Sequence, residues 1–381
     1  MAQARIYLDF NATAPLHPAA RAAVLRALDL PGNASSIHGE GRAARALVDG
    51  ARGQVAALAG ARAKDVVFTS GGTEAANLAL TPHVQAGSDR RPFDLLLMSA
   101  GEHACVLKGH RFDPALTALV PLLPDGRMDI FALETLLAQH ADSRVMLALQ
   151  AANNETGVVQ PVAEAAAMVH ARGGLLVCDA VQAAGKIALP GAADMLILSA
   201  HKLGGPKGAG ALVFSSDRLH ISAPLVAGGG QERGFRGGTE NVAALAGFGA
   251  AATLAQPETA ALRDAFEAGL RDIAPDAVVF GQSAPRLPNT SAFAVPGMAA
   301  EMLLIALDMA GFAVSSGSAC SSGKVKRSHV LDAMAIESGL ALGALRISLG
   351  WSSTRADIDD FLAAFADVVA KVRQRRSQKA A

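Results

Sequence analysis

Short apolar runs alternate with Ala-rich stretches of helical character along most of the chain, and each run is closed by polar or glycine residues. That rhythm predicts repeated strand and helix units around a mostly parallel sheet, an α/β class. The clearest runs are Val66 to Phe68, Leu95 to Met98, Val145 to Leu149, Leu175 to Cys178, Met195 to Leu198 and Ala211 to Phe214. A helix is expected from Ala243 to Ala255, leading into Gln256-Pro257-Glu258. Beyond it the texture changes to an amphipathic helix, scattered strands and a final helix near Asp357 to Arg375, so a domain boundary is expected there. No internal repeat interrupts the pattern.

Composition narrows the class. A chain of 381 residues exceeds what one hydrophobic core usually organises. With 51% hydrophobic and 18% charged residues it has ample apolar surface to bury, which excludes a disordered chain. Lys+Arg and Asp+Glu balance at 34 each, so no overall positive field exists to hold nucleic acid or an anionic membrane. Cys105, Cys178 and Cys320 are odd in number and far apart, which offers neither a disulfide framework nor a CxxC motif. A reducing cytoplasm fits that usage. The segment Met1 to Phe10 has no apolar run after its charge, and no stretch is long enough to span a bilayer. A soluble, cytoplasmic protein without membrane contact is expected.

Candidate chemistry lies at the strand ends, because ligands of open α/β sheets sit outside the carboxyl edge. After Val66 to Phe68 comes Thr69-Ser-Gly-Gly-Thr-Glu-Ala-Ala-Asn77, whose glycines admit a close ligand and whose Thr73 sits where a helix begins. Free N–H groups there can hold a phosphate, and an N-cap is the plainer use of the same residues. The segment matches neither GxGxxG nor the P-loop, which removes the usual support for a nicotinamide or nucleotide. Other strands end on Glu102-His103, on Asn153-Asn154-Glu155, on Asp179 with Gln182, and on Ser199-Ala-His201-Lys202. Singly, each is explained by a cap or a satisfied side chain. Together a carboxylate, an imidazole, amides, a phosphate-binding turn and a lysine suit an aromatic aldehyde phosphate bound as a Schiff base, namely pyridoxal 5'-phosphate.

With those residues the chain resembles the class V, fold-type I pyridoxal phosphate enzymes, and within them the cysteine desulfurases of the NifS/IscS type. The resemblance runs from Tyr7-Leu-Asp-Phe-Asn-Ala-Thr-Ala-Pro15 to Leu345-Arg-Ile-Ser-Leu-Gly350. It includes Gly32-Asn-Ala-Ser-Ser-Ile-His38, Asn153-Asn-Glu-Thr-Gly157, Asp179-Ala-Val-Gln182, Ser199-Ala-His-Lys202, Arg236-Gly-Gly-Thr-Glu-Asn241 and Ser315-Ser-Gly-Ser-Ala-Cys320. It implies a large cofactor-binding domain over 15–251, a mostly parallel sheet flanked by helices, and a smaller α+β domain from 1–14 and 252–381 that carries the catalytic cysteine. By position it makes Lys202 the Schiff-base lysine, Asp179 the partner of the pyridine nitrogen and His103 the group against the ring that takes part in proton transfers. Asn154 and Gln182 orient the ring hydroxyl, and Gly72, Thr73, Ser199 and His201 hold the phosphate. Thr239 of a neighbouring subunit completes that site, which implies a homodimer. Arg346 pairs with the substrate carboxylate, with Asn33 nearby. No metal belongs to the resting enzyme; an iron–sulfur contact would be transient, through Cys320.

Cys320 separates a desulfurase from relatives that share only the cofactor. Its surroundings, Ser315-Ser-Gly-Ser-Ala-Cys-Ser-Ser-Gly323, are small and polar, as suits an exposed nucleophile. The implied reaction takes L-cysteine to L-alanine and leaves the sulfur on Cys320 as a persulfide, for an iron–sulfur scaffold or another acceptor protein. Cys178 reads as an inert core residue and Cys105 as packing. A free thiol titrates near about 8.5, so an electropositive neighbour would help; Lys324, Lys326 and Arg327 are close in sequence. The basic Ser322 to His329 segment and the short C-terminus depart from housekeeping members, which adds weight to a dedicated role such as supplying nitrogenase cluster assembly. Rival readings are an aminotransferase, a selenocysteine lyase, or a silent sulfur-carrier scaffold. Intact Lys202, His103, Asp179, Arg346 and Cys320 argue against the last.

Overall fold

The computed structural model describes residues 5–254, 258–316 and 327–380, with side chains to residue 374. Seven strands form the main sheet in the order Val66–Thr69, Gly210–Phe214, Met195–Ser199, Leu175–Asp179, Val145–Ala148, Leu95–Ser99, Thr117–Val120. Only Gly210–Phe214 runs antiparallel to its neighbours; the other pairings are parallel. All six expected runs are strands of this sheet. Thr117–Val120 escaped the pattern because it lies at the edge, half exposed, between Pro114 and Pro121.

Alternate strand residues enter different cores, as a period of two requires. Val66, Phe68, Leu95, Leu97, Val145 and Leu147 pack with helices Gly39–Leu58, Ile130–Gln139, Val162–His170 and Val242–Ala252. Val67, Leu96, Met98, Met146 and Ala148 pack with helix Gly72–Ala79 and Val106. Cover on both faces is why these strands read as continuous apolar runs. The Ala-rich helices pack closely: a Cβ on Gly249 would lie 2.6 Å from Ala51 Cα, so a larger residue there would force Val242–Ala252 off Gly39–Leu58. The helix expected over Ala243 to Ala255 runs Val242–Ala252, and the last helix is Arg355–Ala380.

A second, antiparallel sheet has the order Val278–Val279, Thr290–Ala294, Leu345–Ser348, Ser315–Ser316. Its core is aromatic: Phe266, Phe293, Phe312, Phe361 and Phe365 lie within 5.2 to 5.8 Å of one another in edge and stacked pairs. The N-terminal strand Ile6–Tyr7 pairs with Phe312–Ala313, and Leu8 joins this aromatic cluster. We propose the domain division 15–251 against 1–14 with 252–381 on that basis. The seam is packed, since Ala292, Ala294, Val330, Leu331 and Met334 belong to the core of the large sheet. No helix of the described residues is long and apolar enough to cross a membrane.

Candidate active site

The carboxyl ends of the parallel strands open into a cavity of about 360 Å³, and ten of the thirteen residues singled out from the sequence line it. Strand Val66–Thr69 leads into helix Gly72–Ala79, bringing Gly72 and Thr73; among the described residues no side chain caps that helix start. Gly72 and Thr73 thus place an uncapped helix start in the cavity wall, an arrangement that favours an anion. A Cβ on Gly72 would meet Val181 at 3.1 Å, so glycine lets the helix seat against the turn after Asp179.

Strand Leu175–Asp179 delivers Asp179, whose Oδ1 accepts from the Val181 N–H at 3.0 Å. Burial pushes its carboxyl above the usual range, and that N–H with the charges of His103 and Lys202 draws it back. Ser199 ends strand Met195–Ser199, and the tight turn Ala200–Lys202 presents His201 and Lys202. Lys202 Nζ donates to the main-chain oxygens of Asn11 and Ala12, the latter at 2.8 Å. His201 Nδ1 lies 3.1 Å from Thr13 Oγ1, and burial, then Lys202 and Lys207, push the imidazole down to about 4, leaving it neutral at pH 7. His103 caps the turn Ala104–Leu107 by accepting the Cys105 N–H on Nδ1 at 3.2 Å, so its neutral form carries the proton on Nε2. Burial lowers its basicity as well.

The opposite wall comes from the second sheet and the N-terminal segment. Arg346 donates from Nη2 to Asp9 Oδ1 at 2.7 Å and from Nη1 to the Asn154 carbonyl at 2.8 Å. Its Nε, also buried, has no acceptor among the described residues. Gln182 Nε2 donates to the Asn11 carbonyl at 3.0 Å. Asn154 completes the set gathered here.

Three candidates are not in the cavity wall. Asn33 is exposed, its Oδ1 taken by the Ser35 N–H at 2.8 Å. Thr239 lines an adjacent groove with Ser70 and Gly208, which also border the depression formed by Thr73, Ser199 and His201. Cys320 lies outside the described residues, as do Lys324 and Lys326; Arg327 pairs with Asp332. Cys178 is buried within its strand, as expected. Cys105, read as packing, does line the cavity, and burial with the charges of Asp179 and Glu102 pushes its thiol far up, which keeps it from ionising near neutrality.

Sequence reasoning assigned no role to Asp9, Asn11 or Gln150. Asn11 and Gln150 line the cavity, while Asp9 reaches it through Arg346. Glu102 carries no sequence signal beyond its place beside His103. It is fully buried, accepts the Gln150 N–H at 2.7 Å, and is pushed well up by burial and Asp179. The segment Tyr7 to Pro15 flagged Asn11, but nothing local in it announced a contact with residues near position 346.

Residues 6–361 match the family model for aminotransferase class-V. A cysteine desulfurase of Cereibacter sphaeroides is 43% identical over 383 residues, covering 97% of each chain. Among solved structures, a NifS-like protein from Rickettsia africae superposes with a TM-score of 0.85 at 32% identity, covering 96% of this chain and 99% of that one. SspA, solved in complex with cysteine, has a TM-score of 0.76 at 26% identity over 90% of this chain and 98% of its own.

Proposed function

Because the chain belongs to the aminotransferase class-V family, and within it to the cysteine desulfurases, we propose that its cavity holds pyridoxal 5'-phosphate on Lys202 and that it converts L-cysteine to L-alanine, passing the sulfur to Cys320 as a persulfide. The sulfur then serves iron–sulfur cluster assembly through an acceptor protein.

The residues fit the cofactor. An aldehyde requires an amine, and Lys202 offers its Nζ at the strand end. A protonated pyridine nitrogen requires a carboxylate partner, and Asp179, half-buried at its strand end, lines the cavity within the field of Lys202. A phosphate requires N–H and O–H donors without opposing carboxylates. The uncapped start of Gly72–Ala79, Thr73, Ser199 and His201 supply them, while Glu74 in the same turn is neutralised by Arg236 at 2.9 Å. When bound, pyridoxal phosphate supplies an electron sink for the bonds at the substrate Cα.

The chain's own groups do the remaining work. His103, neutral with its proton on Nε2, can exchange protons at that atom with a substrate in the cavity. Asn154 and Gln182 orient the ring hydroxyl, and Arg346 receives the substrate carboxylate; Asn33, outside the cavity wall of its own chain, is tied to that substrate by the family resemblance alone. Since both Nη atoms of Arg346 are engaged, an incoming carboxylate must share or replace Asp9. Thr239, outside its own cavity, completes the phosphate site of a second copy, which makes the working unit a homodimer. Cys320, as thiolate, would attack the substrate sulfur, forming the S–S bond as the substrate Cβ–S bond breaks; the electron pair stays with the carbon fragment, which is protonated and leaves as L-alanine. The structure of SspA with cysteine bound supports the choice of substrate.

The observation that carries this reading is the convergence of Lys202, Asp179, His103 and the uncapped helix start at Gly72 in one cavity. The test is to supply pyridoxal phosphate, reduce with borohydride and map the modified peptide. Labelling of Lys202, with alanine released from cysteine, is expected; a colourless protein that takes up no cofactor, or label on another lysine, overturns it.

A further inference from the structure

Lys186 has no place in the sequence reading and does not line the cavity. It sits in the turn after strand Leu175–Asp179, four residues beyond Gln182, with Gly185 at φ 74° bringing the chain round. Its Nζ donates twice to Gln182, to the main-chain oxygen at 3.0 Å and to Oε1 at 3.1 Å. Charged or neutral, the amine has hydrogens enough to donate to both oxygens, and with Nε2 held by the Asn11 carbonyl the end of the amide that faces it is the oxygen. The other end, Nε2, meets the Asn11 carbonyl at 3.0 Å, and the same carbonyl accepts from Lys202. A hydrogen-bonded chain therefore links Lys186, the Gln182 amide, the Asn11 carbonyl and Lys202.

We propose that Lys186 is a positioning residue, which holds the Gln182 amide with Oε1 turned away and Nε2 presented to the cavity, so that Gln182 meets the cofactor only as a donor. The inference rests on the pyridoxal phosphate reading. A negatively charged ring oxygen needs a donor, and a flipped amide would offer it Oε1 instead while setting two carbonyl oxygens together at Asn11. Asn11 alone is a weak restraint because its oxygen is shared with Lys202. The amine is kept at this position against its own solvation: burial, then the charges of Lys202 and Arg346, push Lys186 down to about 7. An apolar side chain would meet no such penalty.

The test uses the cofactor-loaded protein and follows the visible absorbance of the bound cofactor against pH. In Lys186→Met the midpoint should rise by about half a pH unit or more, because loss of the Gln182 donor and of a nearby cation both favour the protonated chromophore. Lys186→Arg, which keeps the donors, should return the midpoint to the wild-type value. In a Gln182→Leu background, Lys186→Met should add only the smaller part of that shift, the part due to the lost cation. An equal shift in both backgrounds would mean that Lys186 acts as a charge alone and overturns positioning, as does an unchanged midpoint in a folded Lys186→Met. Should that variant fail to fold, Lys186→Leu, which also lacks a donor, reads the same midpoint. Wild-type protein without a visible band overturns the cofactor reading and this inference together, whereas a normal wild-type titration with an unmoved variant overturns the inference alone.

Discussion

One wall of the cavity is assembled from consecutive strand ends of a single sheet, whereas the other joins residues from opposite ends of the chain. On the first, Asp179, Ser199, His201 and Lys202 follow their strands directly. On the second, Asp9 meets Arg346 across 337 positions of sequence, and Asn11 Nδ2 reaches Thr290 Oγ1 across 279 at 2.9 Å. The first wall holds groups whose protonation is shifted by burial, with His103 and His201 down and Asp179 and Glu102 up. The second is held by charge pairing and hydrogen bonds to main-chain oxygens. On the proposed reading, chemistry is concentrated on the wall that folds locally, while recognition of the substrate falls to the wall that exists only once both ends of the chain are in place.

The largest expected effect tests the first wall. Lys202→Ala should reduce alanine formation from cysteine by about three orders of magnitude or more and abolish the covalent cofactor linkage, as expected when a covalent catalyst is removed. Its thermal unfolding should stay near wild type, since Lys202 acts through its amine rather than its packing. Substantial turnover by a folded variant would remove Lys202 from the mechanism.

The cysteines sharpen the same contrast. Cys320→Ala should still bind cofactor and take up cysteine, then stall, with alanine and sulfide falling by several orders of magnitude. Cys105→Ala should keep most activity even though Cys105 stands in the cavity, because burial holds its thiol protonated. Mass spectrometry after brief exposure to cysteine should find one added sulfur on the peptide containing Cys320. Sulfur on Cys105 instead would reverse the assignment.

Why the first wall was legible follows from the same contrast. Strands buried on both faces appear as apolar runs, and the polar residue that ends each run reads directly as a site residue, as with Phe68 before the Gly72 turn or Leu198 before Lys202. The edge strand Thr117–Val120 breaks the rule because one side meets solvent, with Leu119 54% exposed. Arg346 was found only through resemblance, and its tie to Asp9 had no signal at all. The second sheet is made of strands of two to five residues whose partners are distant, so periodicity cannot pair them. Cys105 shows the remaining difficulty: its place on the cavity wall depends on how the Ala104–Leu107 turn is set, which three neighbouring residues do not disclose.

On the second wall, Arg346→Ala should raise KM for cysteine by about a hundredfold while changing kcat far less, the expected split when a charge-assisted contact to a carboxylate is lost. It should also lower stability by about 3 kcal/mol, because Asp9 loses its partner in a mostly covered position. The visible band of the bound cofactor should be unaltered. A variant in which KM holds and the band disappears would place Arg346 with the cofactor instead.

The smallest effect concerns the seam between the walls. Glu155 follows Asn154, whose carbonyl binds Arg346, and its own carboxylate accepts from the Ser328 hydroxyl. Burial pushes the carboxyl up to about 7, against the pull of Ser328 and Arg346. A carboxyl raised on folding binds its proton more tightly in the native state, so its contribution is fully present below the ordinary value near 4.5 and is lost as pH rises through about 7. Glu155→Gln mimics the protonated form and should not titrate, while its amide oxygen still accepts from Ser328. Thermal unfolding at pH 5 and pH 8 should therefore show the variant gaining on wild type as pH rises, by on the order of 3 kcal/mol in all. His201 titrates in the opposite sense, losing stability as pH falls from the ordinary histidine range towards 4, but it is common to both proteins and cancels in the difference. Parallel stability curves for the two proteins between pH 5 and 8 would mean that Glu155 is charged throughout, and that the seam is held by an ion rather than by a neutral acid.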